Sequence, residues 1–162
     1  MVDDNKKNKT VSNSVVTMTE LVLPNHTNQL GNLLGGQLMH WIDICAALSS
    51  SKHSNRICVT ASVDKIAFHF PVKVGDVVTI RASVNRVFNT SMEVGVKVFA
   101  ENHIKGTRRH TNSAYLTFVS VDDEGKPVST KEIAPESEEE IRRYNKALDR
   151  RKIRLQQNHN PY

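Results

Sequence analysis

The chain has 162 residues, 38% of them hydrophobic and 24% charged, with a formal net charge of +5 and an isoelectric point near 9.3. That length holds one domain with a substantial core, since about 150 residues bury about 70% of the surface their unfolded chain exposes, and it excludes two enzymatic domains. No apolar run approaches the roughly 20 residues that cross a bilayer as a helix, and two cysteines, Cys45 and Cys58, without Cys-x-x-Cys spacing exclude a disulfide framework or a zinc ribbon.

Residues 1–12 are polar and rich in Asn and Lys, a composition expected to stay disordered. The opening Met1-Val-Asp-Asp-Asn-Lys-Lys-Asn-Lys9 lacks the apolar stretch of a secretory signal, so a cytoplasmic protein with reduced thiols is expected. Val15 to Leu23 carries enough β-branched residues for a first strand, stopped by Pro24-Asn25. A glycine-rich turn, Asn28-Gln-Leu-Gly31-Asn-Leu-Leu-Gly35-Gly36, then leads into an apolar helix from about Gly36 to Ser50. After a polar break at 49–55, four strands follow at Cys58 to Phe70, Asp76 to Phe88, Met92 to Glu101 and Ala114 to Val121. Their joints, Pro71 to Asp76, Asn89-Thr-Ser91 and the tip Asp122 to Pro127, suit antiparallel pairing.

One strand, one helix and four strands give an α+β fold in which an antiparallel sheet wraps a single helix. A lone helix covers one sheet face only, so self-association as a dimer or larger assembly is expected. The segment from about Pro135 to Gln157 reads as a charged helix packed loosely on the body or on a neighbouring subunit. Glu136 and Glu138 to Glu140 precede its basic run from Arg142 to Arg154, an order that complements the helix macrodipole. Its charge has two readings, a solvated helix face or an anion-binding patch serving coenzyme phosphates or nucleic acid. The chain thus divides into a tail at 1–12, a domain at 13–134, and a charged helix with its tail at 135–162.

Asp43 stands out within this pattern. It lies among Leu38, Met39, Trp41, Ile42, Ile44, Cys45 and Leu48, neighbours that leave the helix no polar face and predict burial all round. A carboxylate drawn out of water is disfavoured unless it is paired or hydrogen-bonded, and catalysis is one reason to tolerate the cost. The alternative is an ordinary Asp at a helix edge. Gly35-Gly36 places unpaired backbone N–H groups and the positive end of the macrodipole where a carbonyl oxygen can approach. Asn28 either adds a polar contact there or holds the loop through an Asx turn. Gly36 and Asp43 are seven residues apart, about 10 Å along one helix, so one carbonyl cannot touch both. If both act on one bond, Asp43 comes from the helix of a second copy.

Taken in order, these residues resemble a known family. Asn28-x-x-Gly31-x-x-x-Gly35-Gly36 followed by Asp43, then Val59 to Phe68, Val74-Gly-Asp76, Asn89-Thr-Ser-Met-Glu93, Ala114 to Ser120 and Ala134 to Glu140 resemble the hotdog-fold acyl-CoA thioesterases. Within that family the resemblance is to the group of brain-type acyl-CoA hydrolase and its bacterial single-domain relatives. It implies hydrolysis of fatty acyl-CoA to CoA and free acid, with Asn28 and Asp43 at the catalytic positions and the Gly36 N–H polarising the thioester. Asp43 would serve as general base or as nucleophile. A homodimer with two complete sites, assembled further into a trimer of dimers, is implied too. Gly35, Thr60, Arg86, Thr90, Ser91, Lys105, Arg108 and Arg109 are the candidate contacts for substrate and CoA, Arg108-Arg109 reading equally as surface charge. Coenzyme A enters as substrate and product, with no other cofactor, no metal and no nucleic acid expected. Three other readings are weaker: a hotdog enoyl-CoA hydratase built on His69-Phe70-Pro71, a non-catalytic acyl-CoA or nucleotide sensor, and nucleic-acid binding by the basic tail.

Overall fold

In a computed structural model, which describes residues 9–64 and 66–158, the chain runs β1 (Lys9–Thr10), α1 (Val11–Ser14), β2 (Val16–Leu21), α2 (Gly35–Ser54) and β3 (Ile57–Val63). It continues β4 (Val77–Phe88), β5 (Ser91–Asn102), β6 (Thr107–Val121), β7 (Ile133–Ala134) and α3 (Glu138–Asn158). The main sheet has five antiparallel strands in the order β2-β4-β5-β6-β3. Its long strands turn tightly at Asn89, φ +64°, a left-handed conformation that Asn tolerates, and at Gly106, φ +64°. Register shifts at Thr60/Ser62, Val84/Arg86 and Val98/Phe99 bend the strands and raise the local twist.

The twisted sheet wraps α2, as the element order predicts. Ile42, Cys45 and Ala46 on α2 meet Ile80, Val84, Met92, Val94 and Phe118, all fully buried, because alternate strand residues point to this one face. The helix is longer than expected. Its last turns carry Ser49, Ser50 and His53, which are buried and polar: Ser49 Oγ donates to Ser14 O at 2.7 Å, Ser50 Oγ to Ala47 O of the same helix at 2.8 Å, and His53 Nε2 lies 2.8 Å from Lys131 O while its Nδ1 has no partner among the described residues. The helix ends only at Asn55, φ 56°.

Four further expectations are corrected. Residues 9–12 are ordered rather than disordered, because β1 pairs in parallel with the remote β7 and Val11 is buried; residues 1–8 and 159–162 lie outside the described residues. The strand expected to reach Phe70 ends at Val63, after which residues 66–71 leave the sheet. Helix α2 is not buried all round: Gly36, His40, Leu48 and Lys52 are exposed along one i, i+4 stripe, with Asp43 half-buried at its border. Finally, α3 is pinned to the sheet. The Arg150 guanidinium donates to the fully buried Glu93 carboxylate at 2.6 and 3.0 Å, and Arg154 bridges Asp64 at 3.0 Å and Glu93 at 3.4 Å.

Candidate active site

The loop before α2 is folded around one side chain. Asn28 Oδ1 accepts hydrogen bonds from the N–H groups of Leu30 at 2.9 Å and Asn32 at 3.1 Å, while Gly31, φ +70°, closes the turn by donating to Asn28 O at 3.0 Å. The Asx-turn reading of Asn28 therefore holds, and it leaves the other half of the amide unused. Among the described residues Asn28 Nδ2 makes no hydrogen bond, and Asn28 lines a cleft of about 390 Å³ with Gly35, Leu38, Phe68 and Phe70. His26 does not join it; its Nδ1 accepts from Leu23 N at 3.2 Å and its ring packs edge-on against Trp41.

Helix α2 opens at Gly35 without a side-chain cap, so its first N–H groups remain available as donors. The two glycines differ in their need for glycine. A Cβ on Gly35 would stand 3.4 Å from the Phe68 ring, which closes over it, whereas one on Gly36 would meet nothing within 4 Å. Space beside the Gly36 N–H is open in the single chain.

Asp43 sits two turns further along. Thr60 Oγ1 donates to its Oδ1 at 2.8 Å, and among the described residues Oδ2 has no hydrogen-bond partner. One oxygen is thus fixed and the other is left to act. Asp43 does not line the cleft that holds Asn28 and Gly35, because the unbroken helix carries it about 10 Å beyond Gly36. Around Asp43 lies an apolar surface without cover: Leu48 is 50% exposed, and Ile57, Val59 and Val63 on the edge strand β3 are 62%, 47% and 40% exposed. Strand β3 pairs with β6 on one side only, leaving a row of backbone groups ready for another strand.

The candidate coenzyme contacts scatter. Thr60 spends its hydroxyl on Asp43. Arg86 is committed to α3, donating to Tyr144 O at 3.2 Å with its guanidinium 4.0 Å from the Tyr144 ring centroid. Thr90 and Ser91 lie at the β4–β5 turn, and Lys105, Arg108 and Arg109 at the far end of the β5–β6 hairpin, roughly 35 Å away at strand rise. The two groups do not form one surface within a subunit. Arg108 pairs with Glu101 at 2.8 Å, and Arg109 lies over the Phe70 ring that lines the Asn28 cleft. His69 lines that cleft with no carboxylate beside it there, against the pairing a hydratase needs. On α3, Arg142 and Arg143 pair with Glu139 along the exposed part of the helix, as the solvated reading expects, whereas Arg150 and Arg154 turn toward the sheet and pair with Glu93 and Asp64.

Sequence reasoning missed Phe68 and Phe70 as cleft walls and Thr60 as the partner of Asp43; a Thr in a mostly apolar edge strand is the signal for the latter. Neither cysteine is placed to react at Asp43. Burial pushes the Cys45 thiol up to about 11. Among the described residues no cluster of three or more His, Cys, Asp and Glu side chains could hold a metal ion, and no helix is long and apolar enough to cross a membrane.

Comparison with known proteins adds an independent line. Residues 30–107 match the model of the Thioesterase superfamily. The uncharacterized acyl-CoA thioester hydrolase YkhA of Bacillus subtilis is 42% identical over 85% of this chain and 80% of the relative. An apo-hexameric acyl-CoA thioesterase superposes with a TM-score of 0.90 at 39% identity, covering 93% of this chain and 97% of that one. The acyl-CoA hydrolase of Staphylococcus aureus, in complex with butyryl-CoA, CoA and CoA disulfide, gives a TM-score of 0.87 at 34% identity over 96% of each chain; it has also been solved as Asp43Ala, Thr60Ala and Asn28Ala mutants. The chain spans about a quarter of the length of three rodent thioesterases it matches, among them mouse acyl-coenzyme A thioesterase 11, 45% identical over 86% of this chain but 23% of the relative. With these matches and an antiparallel sheet curled around one helix, this chain belongs to the hotdog-fold acyl-CoA thioesterase family.

Proposed function

We propose that the protein hydrolyses acyl-CoA thioesters to CoA and the free carboxylic acid at a site shared between two subunits. The observation that carries this reading is the state of Asp43. It is half-buried, held by Thr60 at one oxygen, unpartnered at the other among the described residues, and beside an apolar edge that a second copy would cover. Its own Gly36 is about 10 Å away, so the donors that meet it come from the other subunit. Pairing two β3 edges would satisfy the open backbone and bury Ile57, Val59 and Val63. The hexameric relative favours further assembly into a trimer of dimers.

In this site the Gly36 N–H and the unused Asn28 Nδ2 donate to the thioester oxygen. Asp43 Oδ2 takes a proton from water as the water oxygen attacks the carbonyl carbon. The tetrahedral intermediate places its charge on the oxygen facing those donors, each worth about 2.7 to 4 kcal/mol in comparable sites. Collapse breaks the C–S bond, and the departing thiolate recovers the proton from Asp43. In the nucleophilic variant Oδ2 itself attacks, CoA leaves, and water opens the resulting anhydride. Solvent oxygen label in the Asp43 carboxylate after one turnover selects the nucleophilic route, with water opening the anhydride at the Asp43 carbon.

The substrate class rests on the staphylococcal relative, whose complex holds butyryl-CoA and which carries Asp, Thr and Asn at the same three numbers as this chain. Free-thiol release from acyl-CoAs of graded length tests the reading. Wild-type protein should release CoA and Asp43→Ala should not; equal rates from the two proteins would refute it.

A further inference from the structure

The sheet face turned away from α2 holds a cleft of about 550 Å³ apart from Asn28 and Asp43: it shares no lining residue with the Asn28 cleft, and of the candidate coenzyme contacts Arg108 alone lines it, where Glu101 pairs with it. Its floor is set by cross-strand partners. Arg81 on β4 and Lys97 on β5 lie directly opposite one another, flanked across the sheet by Thr17 and Ser113. Like charges in that position cost stability, about 0.2 to 1 kcal/mol for a typical pair. Beside them Ser83, Gly95 and Tyr115 form the next row, and the floor is low at Gly95, where a Cβ would come within 2.7 Å of Asn85 Nδ2.

Five cations line the cleft: Arg81, Lys97, Arg108, Arg142 and Arg143. Three have acidic partners, Arg108 with Glu101 and both Arg142 and Arg143 with Glu139. Glu140, the one lining carboxylate, is occupied by the N–H groups of Glu136 at 2.7 Å and Ser137 at 3.2 Å. Arg81 and Lys97 are left with no ion pair or side-chain hydrogen bond among the described residues. Two uncompensated cations on adjacent strands, both exposed on the floor of a cleft of ligand size, form a surface suited to an anion with two neighbouring charged groups.

We infer that this cleft is a second ligand site, selective for a small molecule bearing a diphosphate group, with Arg81 and Lys97 as its charged contacts. The site is separate from the thioester chemistry. Diphosphate could reach it as part of coenzyme A or of another metabolite, and the test distinguishes these sources.

Titration calorimetry of the intact protein with inorganic pyrophosphate and with inorganic phosphate, at low ionic strength, is run on wild type, Arg81→Gln, Lys97→Gln and, as a charge control, Lys152→Gln. Wild type should bind pyrophosphate at least about tenfold more tightly than phosphate. Arg81→Gln and Lys97→Gln should each lose about tenfold or more, as expected for removing a charged hydrogen bond, while Lys152→Gln binds as wild type. Without ligand Arg81→Gln should melt no lower than wild type, since it removes like-charge repulsion, and pyrophosphate should raise the melting temperature of wild type and Lys152→Gln but not of Arg81→Gln or Lys97→Gln. The KM for acyl-CoA should be unchanged in both variants. The proposal is overturned if pyrophosphate does not bind, if it binds equally in the variants, or if phosphate competes equally. A KM that rises in step with lost pyrophosphate binding would make the cleft part of the coenzyme A subsite, and a variant that only changes oligomeric mass would make it an interface between copies; either result also overturns it.

Discussion

Glu93 and Asp43 are both carboxylates drawn from water, one under α3 on the outer face of the sheet and the other on α2 beside the edge strand, yet their surroundings differ in kind. Glu93 is fully buried, and its oxygens accept from Asn85, Arg150 and Arg154. Asp43 is half-buried, accepts once, and keeps an oxygen toward open space. A carboxylate saturated with donors from its own chain is a fastener. One that is held at a single oxygen has the other available for the proposed hydrolysis, in which a second subunit would supply the missing environment.

Exchanging each carboxylate for its amide should separate these roles. Asp43→Asn should lower kcat by roughly 10²- to 10⁴-fold, the usual range for a positioned acid or base, while thermal unfolding stays near that of wild type. Glu93→Gln should do the reverse. Leaving Arg150 and Arg154 without their shared anion should cost about 3 to 5 kcal/mol of stability in denaturant titrations, with the remaining folded protein still turning over acyl-CoA. If Glu93→Gln abolished turnover at full stability, the contrast would fail.

Smaller effects sharpen it. Thr60→Val removes one hydrogen bond from Asp43 without touching the Glu93 network, so kcat should fall roughly tenfold, in line with about 1 to 1.5 kcal/mol for a hydrogen bond to an orienting group, with KM little changed. At the far end of α2, burial holds His53 below the ordinary imidazole value of about 6.5. The unfolded chain then takes the proton first as pH falls. The contribution of His53 is complete above about pH 6.5 and is lost as pH drops toward the lower folded value, at no more than about 1.4 kcal/mol per pH unit. His53→Leu should flatten the slope of stability between neutral and mildly acid pH; an unchanged slope would assign it to other groups.

The fold was legible where the local pattern was decisive. A long apolar helix between one strand and four implied a sheet wrapped around it, and the seven residues from Gly36 to Asp43 implied that the two could not meet on one carbonyl. What escaped was polar structure secured at long range. Ser49 and His53 look like the residues of a loop, but Ser14 and Lys131, far off in sequence, each bond one of their polar atoms, and α2 runs to Ser54. Lys9 and Thr10 look like a tail until β7 arrives beside them. Arg86 looks like a phosphate ligand as much as a packing residue, and only the position of Tyr144 decides between them. Glu93 was read as one residue of a family motif; its burial depends on two arginines about sixty residues later.

Subunit complementation tests the shared site most directly. Asn28→Ala and Asp43→Ala proteins, each inactive alone, are unfolded together, refolded at equal ratio and assayed for thiol release. If Asp43 of one subunit works with Asn28 and Gly36 of the other, each mixed dimer regains one intact site, and the mixture should recover about a quarter of wild-type activity, as two-fold symmetry dictates for random pairing. If each subunit carries a complete site, no mixed dimer is whole, and activity that stays at the level of the separate variants would contradict the account.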